Sequence, residues 1–334
     1  MKLGDQGLHI PHQVLPFQNP EFLCQHPEKM TFYTVNVISD SSRQKQSAVG
    51  AFRYDPVTGN FEMLNQQPVG GNGPCHVAID RTGRLVVTAN YGDGSVSAFP
   101  VRPDGSLGAE SDLKTHEGSG PNTRRQSSPH AHGVTFCPDN RFLLVPDLGT
   151  DEVRVYRVDL ENARLEKHGA VRVAPGAGPR HLSFSPEGQQ VYLVNELDNT
   201  VTALSWNRES GGLASMGSVR TLPAGFDDEN TTAEIAVHPD GAYVYASNRG
   251  HNSVVIFGRD PDSGELTTVG HLELEGREPR SFAVSPDGGW LVVGNQHLNT
   301  VSAFRIREGG ARFEKVGDSV PVPSPVCVHF VLQE

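Results

Sequence analysis

Residues 178–206 read GPRHLSFSPEGQQVYLVNELDNTVTALSW, and this stretch decides the fold because the chain repeats it. Similar patterns occupy residues 278–306, EPRSFAVSPDGGWLVVGNQHLNTVSAFRI, and residues 73–101, GPCHVAIDRTGRLVVTANYGDGSVSAFPV. In each, a short apolar segment leads to a Gly-containing turn, a second β-rich segment ends in Asn, and a third segment follows a polar turn. Further copies begin at Asn19, Ser128, Thr231 and, truncated, Ser324, so seven copies start at intervals of roughly 50 residues.

Four short strands per copy at this period are typical of β-propeller blades and not of the strand–helix–strand units of a dinucleotide fold. No stretch shows convincing helical periodicity, and 36 Gly with 24 Pro among 334 residues favour tight turns over long helices. The sequence therefore predicts an all-β protein, a seven-bladed β-propeller of four-stranded antiparallel blades. We expect residues 19–334 to form one propeller domain and residues 1–18 a short N-terminal segment.

The last blade is expected to be incomplete. Its C-terminal strand is predicted at Val326–Val331, while residues 1–18 offer only the segments GLHI and QVLPF to pair with it. An unpaired strand edge favours association with another chain. The expected state is therefore a monomer or a weak homo-oligomer.

Composition and charge exclude several functional classes. The net charge is −11 and no basic cluster exceeds the pair Arg124–Arg125, which argues against a nucleic-acid-binding protein. The apolar runs are too short to cross a membrane, and the N-terminus shows no apolar stretch of signal-peptide length. Four widely spaced cysteines without CxxC spacing indicate free thiols in a reducing compartment. We expect a cytoplasmic protein that binds neither nucleic acid nor membrane.

Aligning the repeats isolates polar residues at one mouth of the predicted central channel. The first strand of each blade begins there, and the antiparallel second strand returns to the same face. The residues at the start of the first strand are Glu21, Cys75, His132, Arg180, Ala233, Arg280 and Val326. Those just past the second strand are Val37, Tyr91, Leu148, Glu196, Arg249 and Gln296. Blades 3 to 6 thus present an imidazole, a carboxylate and several guanidiniums, where positions that only pack would be small or apolar.

Such a set suits an anionic substrate with a polarised oxygen. Arg180 and Arg249 would bind phosphate or carboxylate and stabilise the oxyanion that develops when water attacks an ester carbonyl. Glu196 or His132 would serve as general base, and the residues themselves do not decide between the two. Salt bridges between blades are the alternative interpretation of these four residues.

Four more residues complete the predicted substrate-binding set: Arg280, His181, His76 and Tyr91. The two histidines follow mouth positions and are equally placed for hydrogen bonds between blades. The pair His130 and His132 could offer two metal ligands, but no carboxylate has ligand spacing, so no metal site is predicted. A recurring amide is predicted to form turns and to satisfy nearby backbone groups, at Asn90, Asn195, Asn248 and Asn295.

Several stretches together resemble the seven-bladed propeller lactonases: LNQQPVGG at residues 64–71, SSPHAHGVTF at residues 127–136, GPRH at residues 178–181 and the dipeptide NE at residues 195–196. The resemblance covers about residues 19–331 and implies an enzyme without a cofactor. It also implies a site built from the His of PHxH, the Arg of GPRH, the Glu of NE and a later Arg that follows an Asn. Here these residues are His132, Arg180, Glu196 and Arg249.

The leading hypothesis is a carboxylic ester hydrolase that opens a small anionic sugar lactone, 6-phosphogluconolactone, to 6-phosphogluconate in the pentose phosphate pathway. A second hypothesis is a carboxymuconate lactonising enzyme, in which the arginines bind carboxylates at the same site. A third is a non-catalytic propeller that presents its faces to other proteins.

Overall fold

A computed structural model describes residues 1–4, 7–9, 18–39 and 45–331. Its regular structure is almost entirely β, and within these residues the single helical turn is a short 3-10 segment, Glu308–Gly310. By internal contacts the chain separates into two compact parts, residues 13–180 and residues 1–12 together with 181–334.

A short hairpin, β1 (Lys2–Gly4) with β2 (Gly7–His9), precedes six sheets. Sheet 1 contains β3 (Pro20–Gln25), β4 (Thr31–Ser39), β5 (Lys45–Asp55) and β6 (Asn60–Pro68). Sheet 2 contains β7 (Pro74–Ile79), β8 (Leu85–Asn90), β9 (Ser95–Pro100) and β10 (Asp112–Thr115). Sheet 3 contains β11 (Thr135–Phe136), β12 (Phe142–Asp147), β13 (Glu152–Asp159) and β14 (Arg164–Arg172).

Sheet 4 contains β15 (Pro179–Phe184), β16 (Gln190–Asn195), β17 (Thr200–Asn207) and β18 (Gly212–Arg220). Sheet 5 contains β19 (Thr231–Val237), β20 (Tyr243–Arg249), β21 (Ser253–Arg259) and β22 (Leu266–Glu273). Sheet 6 contains β23 (Pro279–Val284), β24 (Trp290–Asn295), β25 (Thr300–Arg307), β26 (Arg312–Lys315) and β27 (Val320–Pro321), of which the last two both pair with β25. Each sheet is a meander in which strands follow chain order.

Second strands such as β8 and β20 are buried on both faces, because their side chains alternate between two neighbouring sheets. In residues 13–180, Val86 of β8 joins the apolar cluster shared with sheet 1, whereas Val87 joins the cluster shared with sheet 3. In the other part, Val244 of β20 faces sheet 4 and Tyr245 faces sheet 6. This two-sided burial explains why these strands read as nearly continuous apolar runs. Fourth strands, such as β14, are mostly exposed.

The N-terminal hairpin covers the face of sheet 6 that has no following four-stranded sheet among the described residues. Leu3 and Leu8 pack against the cluster that contains Trp290, Val292 and Val301. Part of the GLHI segment thus forms strand β2, while QVLPF lies outside the described residues. The predicted C-terminal strand Val326–Val331 is wrong, because no strand is assigned there in the structure.

Sheet 3 departs from the repeat pattern at its first strand, which spans only Thr135–Phe136 instead of the six or seven residues seen elsewhere. The ladder is interrupted because the N–H of Val134 donates to Nδ1 of His76 (3.4 Å). Before the interruption, only an isolated bridge joins Ala131 to Asp147. His132 therefore precedes the regular strand that the repeat alignment predicts.

The turn between the first and second strands requires glycine in two sheets. Gly83 and Gly288 have φ of 69° and 70°, which L side chains rarely adopt. A Cβ at Gly83 would also lie 2.3 Å from Nε2 of His26, and one at Gly288 would lie 2.7 Å from Nε2 of His238. The Gly-containing turns predicted from sequence thus also let a histidine of the preceding sheet pack closely.

Buried tyrosines connect neighbouring sheets through single hydrogen bonds. The hydroxyl of Tyr33 donates to the carbonyl of Gly105 (2.9 Å), and that of Tyr245 donates to the carbonyl of Gly310 (2.8 Å). In both cases the acceptor lies in the loop after the third strand of the next sheet. Burial raises the pKa of both phenols. Each hydroxyl is therefore a neutral donor that fixes the distance between two sheets.

Replacing Tyr245 with Phe removes this donor and leaves the carbonyl of Gly310 buried without its partner. We expect the free energy of unfolding, measured by chemical denaturation, to fall by about 1–2 kcal/mol. The matched control is Tyr243→Phe in the same strand, because the hydroxyl of Tyr243 makes no hydrogen bond among the described residues. Equal stability losses in the two variants would contradict the role assigned to the hydroxyl.

Candidate active site

A β-bulge recurs at the start of the first strand, where the repeat alignment places candidate residues. The strand register shifts between Pro74 and His76, and again between Pro279 and Ser281. Sheets 1 and 5 show the same irregularity. A bulge leaves one residue out of the ladder and re-aims its side chain. Cys75 and Arg280 occupy these positions, so their side chains are released from strand alternation.

Glu196 and Arg249 form a buried ion pair between sheets 4 and 5. Glu196 directly follows β16, Arg249 ends β20, and Nη2 of the arginine lies 3.0 Å from Oε2 of the glutamate. The same Nη2 donates to the carbonyl of Thr232 (2.8 Å). The two side chains are 9% and 5% exposed, respectively. Adjacent strand ends thus bring together two of the four predicted catalytic residues, in a salt bridge between blades of the kind that was the alternative interpretation of that set.

The Nε–H of Arg249 is buried without a hydrogen-bond partner among the described residues. A buried donor left unpaired costs free energy, so natural structures seldom keep one without a reason. Here Glu196 and Thr232 both bind Nη2, so the guanidinium is held through one of its three nitrogens. Nε is shielded from solvent, and the cation is fixed beside Glu196 at the end of β20.

His181 is held by a partner that the sequence analysis missed. Its Nδ1 lies 2.9 Å from Oε1 of Glu234, and both residues are buried. A carboxylate only accepts, so Nδ1 carries the proton in this contact. Glu234 is itself fixed, since its N–H donates to the hydroxyl of Ser247 (3.0 Å) and its Oε1 accepts from the N–H of Ile235 (3.2 Å). Because 53 residues separate His181 from Glu234, only the repeat register could have suggested the pair.

Among the described residues, the Arg280 side chain differs from that of Arg249 in having no hydrogen-bond or ion-pair partner. Its side chain is half-buried and makes no hydrogen bond or ion pair within the described parts of the chain. Its position at the bulge of β23 removes it from the ladder. A guanidinium without a carboxylate is suited to an external anion.

In residues 13–180, a second group of predicted residues surrounds Tyr91. The Tyr91 ring stacks on His130 with centroids 4.4 Å apart and meets His132 edge-on at 5.2 Å. Its hydroxyl accepts from Nη2 of Arg125 (3.3 Å), and Sγ of Cys75 lies 3.9 Å from Nδ1 of His132. We call these five residues the Tyr91 cluster. His130 and Arg125 were not predicted as substrate-binding residues.

The remaining two predicted residues have different surroundings. His76 stacks on Phe22 of sheet 1 (4.1 Å) and accepts from Val134 of the segment before β11. It therefore makes the contacts between sheets that were the alternative to substrate binding. Arg180 lies on β15 and is 2% exposed. In the described part of the chain, no three His, Cys, Asp or Glu side chains cluster closely enough to bind a metal ion.

Comparison with known proteins identifies the family. A model of the family described as "Lactonase, 7-bladed beta-propeller" matches residues 3–330. The chain belongs to this lactonase family. The predicted resemblance is thus confirmed, as is the fold class of an all-β propeller with four-stranded antiparallel blades. Six blades correspond to sheets 1 to 6, and the family has seven.

Relatives of this lactonase family member span nearly its whole length. A 6-phosphogluconolactonase of Bacillus subtilis is 34% identical over 328 residues, which cover 98% of this chain and 92% of the relative. A solved structure titled as a putative 6-phosphogluconolactonase from Bacteroides uniformis is 32% identical, with a TM-score of 0.90, and the match covers 98% and 92% of the two chains. A periplasmic gluconolactonase of Pseudomonas aeruginosa is 33% identical with the same TM-score, covering 96% and 91%.

Replacing Arg249 with Gln leaves the buried carboxylate of Glu196 without its guanidinium. We expect the free energy of unfolding to fall by about 3 kcal/mol, because a buried charge then lacks its counter-charge. Arg280→Gln is the matched control and should leave stability unchanged, since that side chain contacts no carboxylate. Denaturant titration of both variants is the measurement, and equal stability in the two would contradict the ion-pair assignment.

Proposed function

We propose that this lactonase family member hydrolyses a sugar lactone, and that 6-phosphogluconolactone is its substrate, in the pentose phosphate pathway. The observation that carries the proposal is the buried ion pair of Arg249 with Glu196, which joins two of the predicted catalytic residues at adjacent strand ends. Relatives named 6-phosphogluconolactonase support the phosphorylated substrate. The Pseudomonas relative is titled as a gluconolactonase, so the phosphate requirement needs its own test.

The chemistry is addition of water to the lactone carbonyl followed by loss of the ring oxygen. A general base removes a proton from water as its oxygen bonds to the carbonyl carbon. Arg249 stabilises the resulting oxyanion, because its guanidinium is already held by Glu196. The ring C–O bond then breaks, the alkoxide takes a proton, and the products are a carboxylate and a hydroxyl. Release of one acid group makes the reaction measurable by titration.

Glu196 and His132 remain the two candidates for the base. Glu196 is 3% exposed and already contacts Arg249. His132 is 5% exposed and belongs to the Tyr91 cluster. Arg180 and Arg280 are proposed to bind the anionic group of the substrate. His181, His76 and Tyr91 are proposed to contact the sugar or to orient the groups that do.

We further infer a single propeller domain over residues 19–334, since the family match runs without interruption through residues 3–330. A cytoplasmic location is supported by four free cysteines, which are typical of a reducing compartment. Among the described residues no helix is long and apolar enough to cross a membrane. The monomeric or weakly associated state remains a proposal, which light scattering at high protein concentration tests.

Glu196→Gln should lower turnover of freshly generated 6-phosphogluconolactone by about 100-fold or more if Glu196 is the base, while the fold is retained. His132→Asn should lower turnover by a similar factor if the imidazole of His132 is the base. The matched control is Glu187→Gln, which alters a second Glu–Arg pair between sheets 4 and 5, that with Arg259 (3.0 Å). Acid release above the spontaneous rate is the measurement.

Full activity in Glu196→Gln would reject Glu196 as the base. A folded wild-type protein that accelerates no sugar lactone but converts a carboxymuconate would support the lactonising alternative. Absence of both activities would leave the non-catalytic scaffold as the remaining hypothesis.

Arg280→Gln tests the phosphate requirement separately. We expect KM for 6-phosphogluconolactone to rise about 10-fold, the effect of losing one charge-assisted hydrogen bond. KM for unphosphorylated gluconolactone should stay within about twofold, because that substrate lacks the anionic group. A parallel rise in both KM values would show that Arg280 does not recognise phosphate.

A further inference from the structure

Sheet 3 breaks a polar pattern that sheets 2, 4 and 6 share. In sheets 2, 4 and 6 the second strand ends in a buried Asn, whose Nδ2 donates to hydroxyls five and seven residues later. Asn90, for example, donates to Ser95 and Ser97 (both 3.0 Å). Sheet 3 carries Asp147 at this position, and the residues five and seven places on are the charged Glu152 and Arg154. An acceptor thus replaces a donor in this sheet.

The partner of Asp147 comes from outside the sheet. Nδ1 of His116, in the segment that connects sheets 2 and 3, lies 2.5 Å from Oδ2 of Asp147, and both side chains are 0% exposed. Oδ1 accepts from the N–H groups of His130 (2.9 Å), Gly149 (2.9 Å) and Thr150 (3.1 Å). The carboxylate therefore accepts four hydrogen bonds. Nε2 of His116 has no partner in the described residues, so Asp147 is the ring's only hydrogen-bond contact.

These contacts hold residues 130–132, which form few hydrogen bonds with the strands of sheet 3. Burial is the largest single influence and raises the pKa of Asp147, but the contact with His116, the N–H of His130 and the charge of Arg154 together keep that pKa below its usual value. The ionised carboxylate binds the N–H of His130 where sheet 3 lacks the regular first strand. Among the described residues, only two further backbone bonds tie residues 130–132 to β12 and the residue after it: His132 N–H to the carbonyl of Pro146 and Leu148 N–H to the carbonyl of His130.

Two glycines confine the same segment sterically. A Cβ at Gly149 would lie 1.9 Å from the carbonyl oxygen of Ser128 and 2.9 Å from the nitrogen of His130. A Cβ at Gly94 would lie 2.3 Å from Cβ of Pro129. Residues 128–130 are thus fixed by contacts from the turns of both sheet 2 and sheet 3.

The fixed segment continues directly into the Tyr91 cluster. Nδ1 of His130 donates to the carbonyl of Tyr91 (2.7 Å), its ring stacks on the Tyr91 ring, and His132 follows two residues later. We propose that His116 and Asp147 are positioning residues that hold His132 in place for lactone hydrolysis. The inference rests on the proposed function, in which His132 acts on the substrate.

His116→Phe keeps a ring in the cavity but removes the donor to Asp147. We expect kcat/KM for 6-phosphogluconolactone to fall about 10- to 100-fold, the effect of displacing a reactive group by about 1 Å. The backbone amides of His130 and Thr150 should exchange with deuterium faster. In contrast to His116→Phe, the variant His116→Asn should keep most of the wild-type activity. Nδ2 of the asparagine can donate to Asp147 where Nδ1 of His116 does.

The matched control is His238→Phe, which removes an imidazole–carboxylate contact of the same kind, to Asp240 (2.6 Å), at a turn of sheet 5. It should alter neither kcat/KM nor exchange at His130. Gly149→Ala perturbs the segment independently and should reproduce the loss seen in His116→Phe. Its control is Gly169→Ala in the same sheet, where an added Cβ meets nothing within 4 Å.

Exchange at His130 that is unchanged in His116→Phe would overturn the proposal, and so would faster exchange with full activity. A wild-type protein without lactonase activity would instead reject the proposed function. In that case the NMR signal of the His132 imidazole decides the positioning role: a shift in His116→Phe but not in His238→Phe supports it, and an unshifted signal overturns it.

Discussion

The burial of the second strands on both faces constrains everything else in the molecule. A strand such as β8, with neighbours on either side, has no exposed face on which to carry a charged group. Polar chemistry is therefore confined to the ends of the strands and to the bulges beside them. Glu196 and Arg249 both sit at such ends, and Arg280 sits at a bulge. The burial that stabilises the fold thus determines where reactive groups can lie. It also gives those groups surroundings of low dielectric constant, in which hydrogen bonds and interactions between charges are stronger than in water.

Departures from the repeat mark the positions at which side chains have a role beyond packing. Most sheets end their second strand with an amide that donates to hydroxyls of the next strand, so sheet 3, with Asp147, needs a partner from elsewhere and obtains it from His116. The first strand of sheet 3 is also short. The carboxylate of Asp147 binds the backbone N–H of His130 there, whereas in other sheets the hydrogen bonds between strands hold the corresponding backbone. Local rules that fail in a single copy of a repeat are typical of functional sites.

The sequence predicts strand order and the turns well, because both depend on short-range patterns that recur seven times. It also predicts which residues end the strands, which is why Glu196 and Arg249 were both among the candidate residues. It does not predict Glu234 as the partner of His181, since that contact crosses between sheets and its geometry depends on a bulge. The recurring amides were expected to bond to backbone, but Asn90 and Asn195 donate mainly to hydroxyls. The strand at Val326–Val331 was wrong because an apolar segment becomes a strand only when a second segment pairs with it.

The bulges at the start of the first strands have a consequence for how such a protein diverges. A residue outside the hydrogen-bond ladder and outside the apolar clusters is less constrained by folding than a residue within them. Arg280 and Cys75 occupy equivalent bulges yet share neither size nor charge. Related chains can therefore exchange these side chains one at a time without first acquiring compensating changes in the core. New substrate preferences then become accessible by single substitutions, while the scaffold that presents them stays constant.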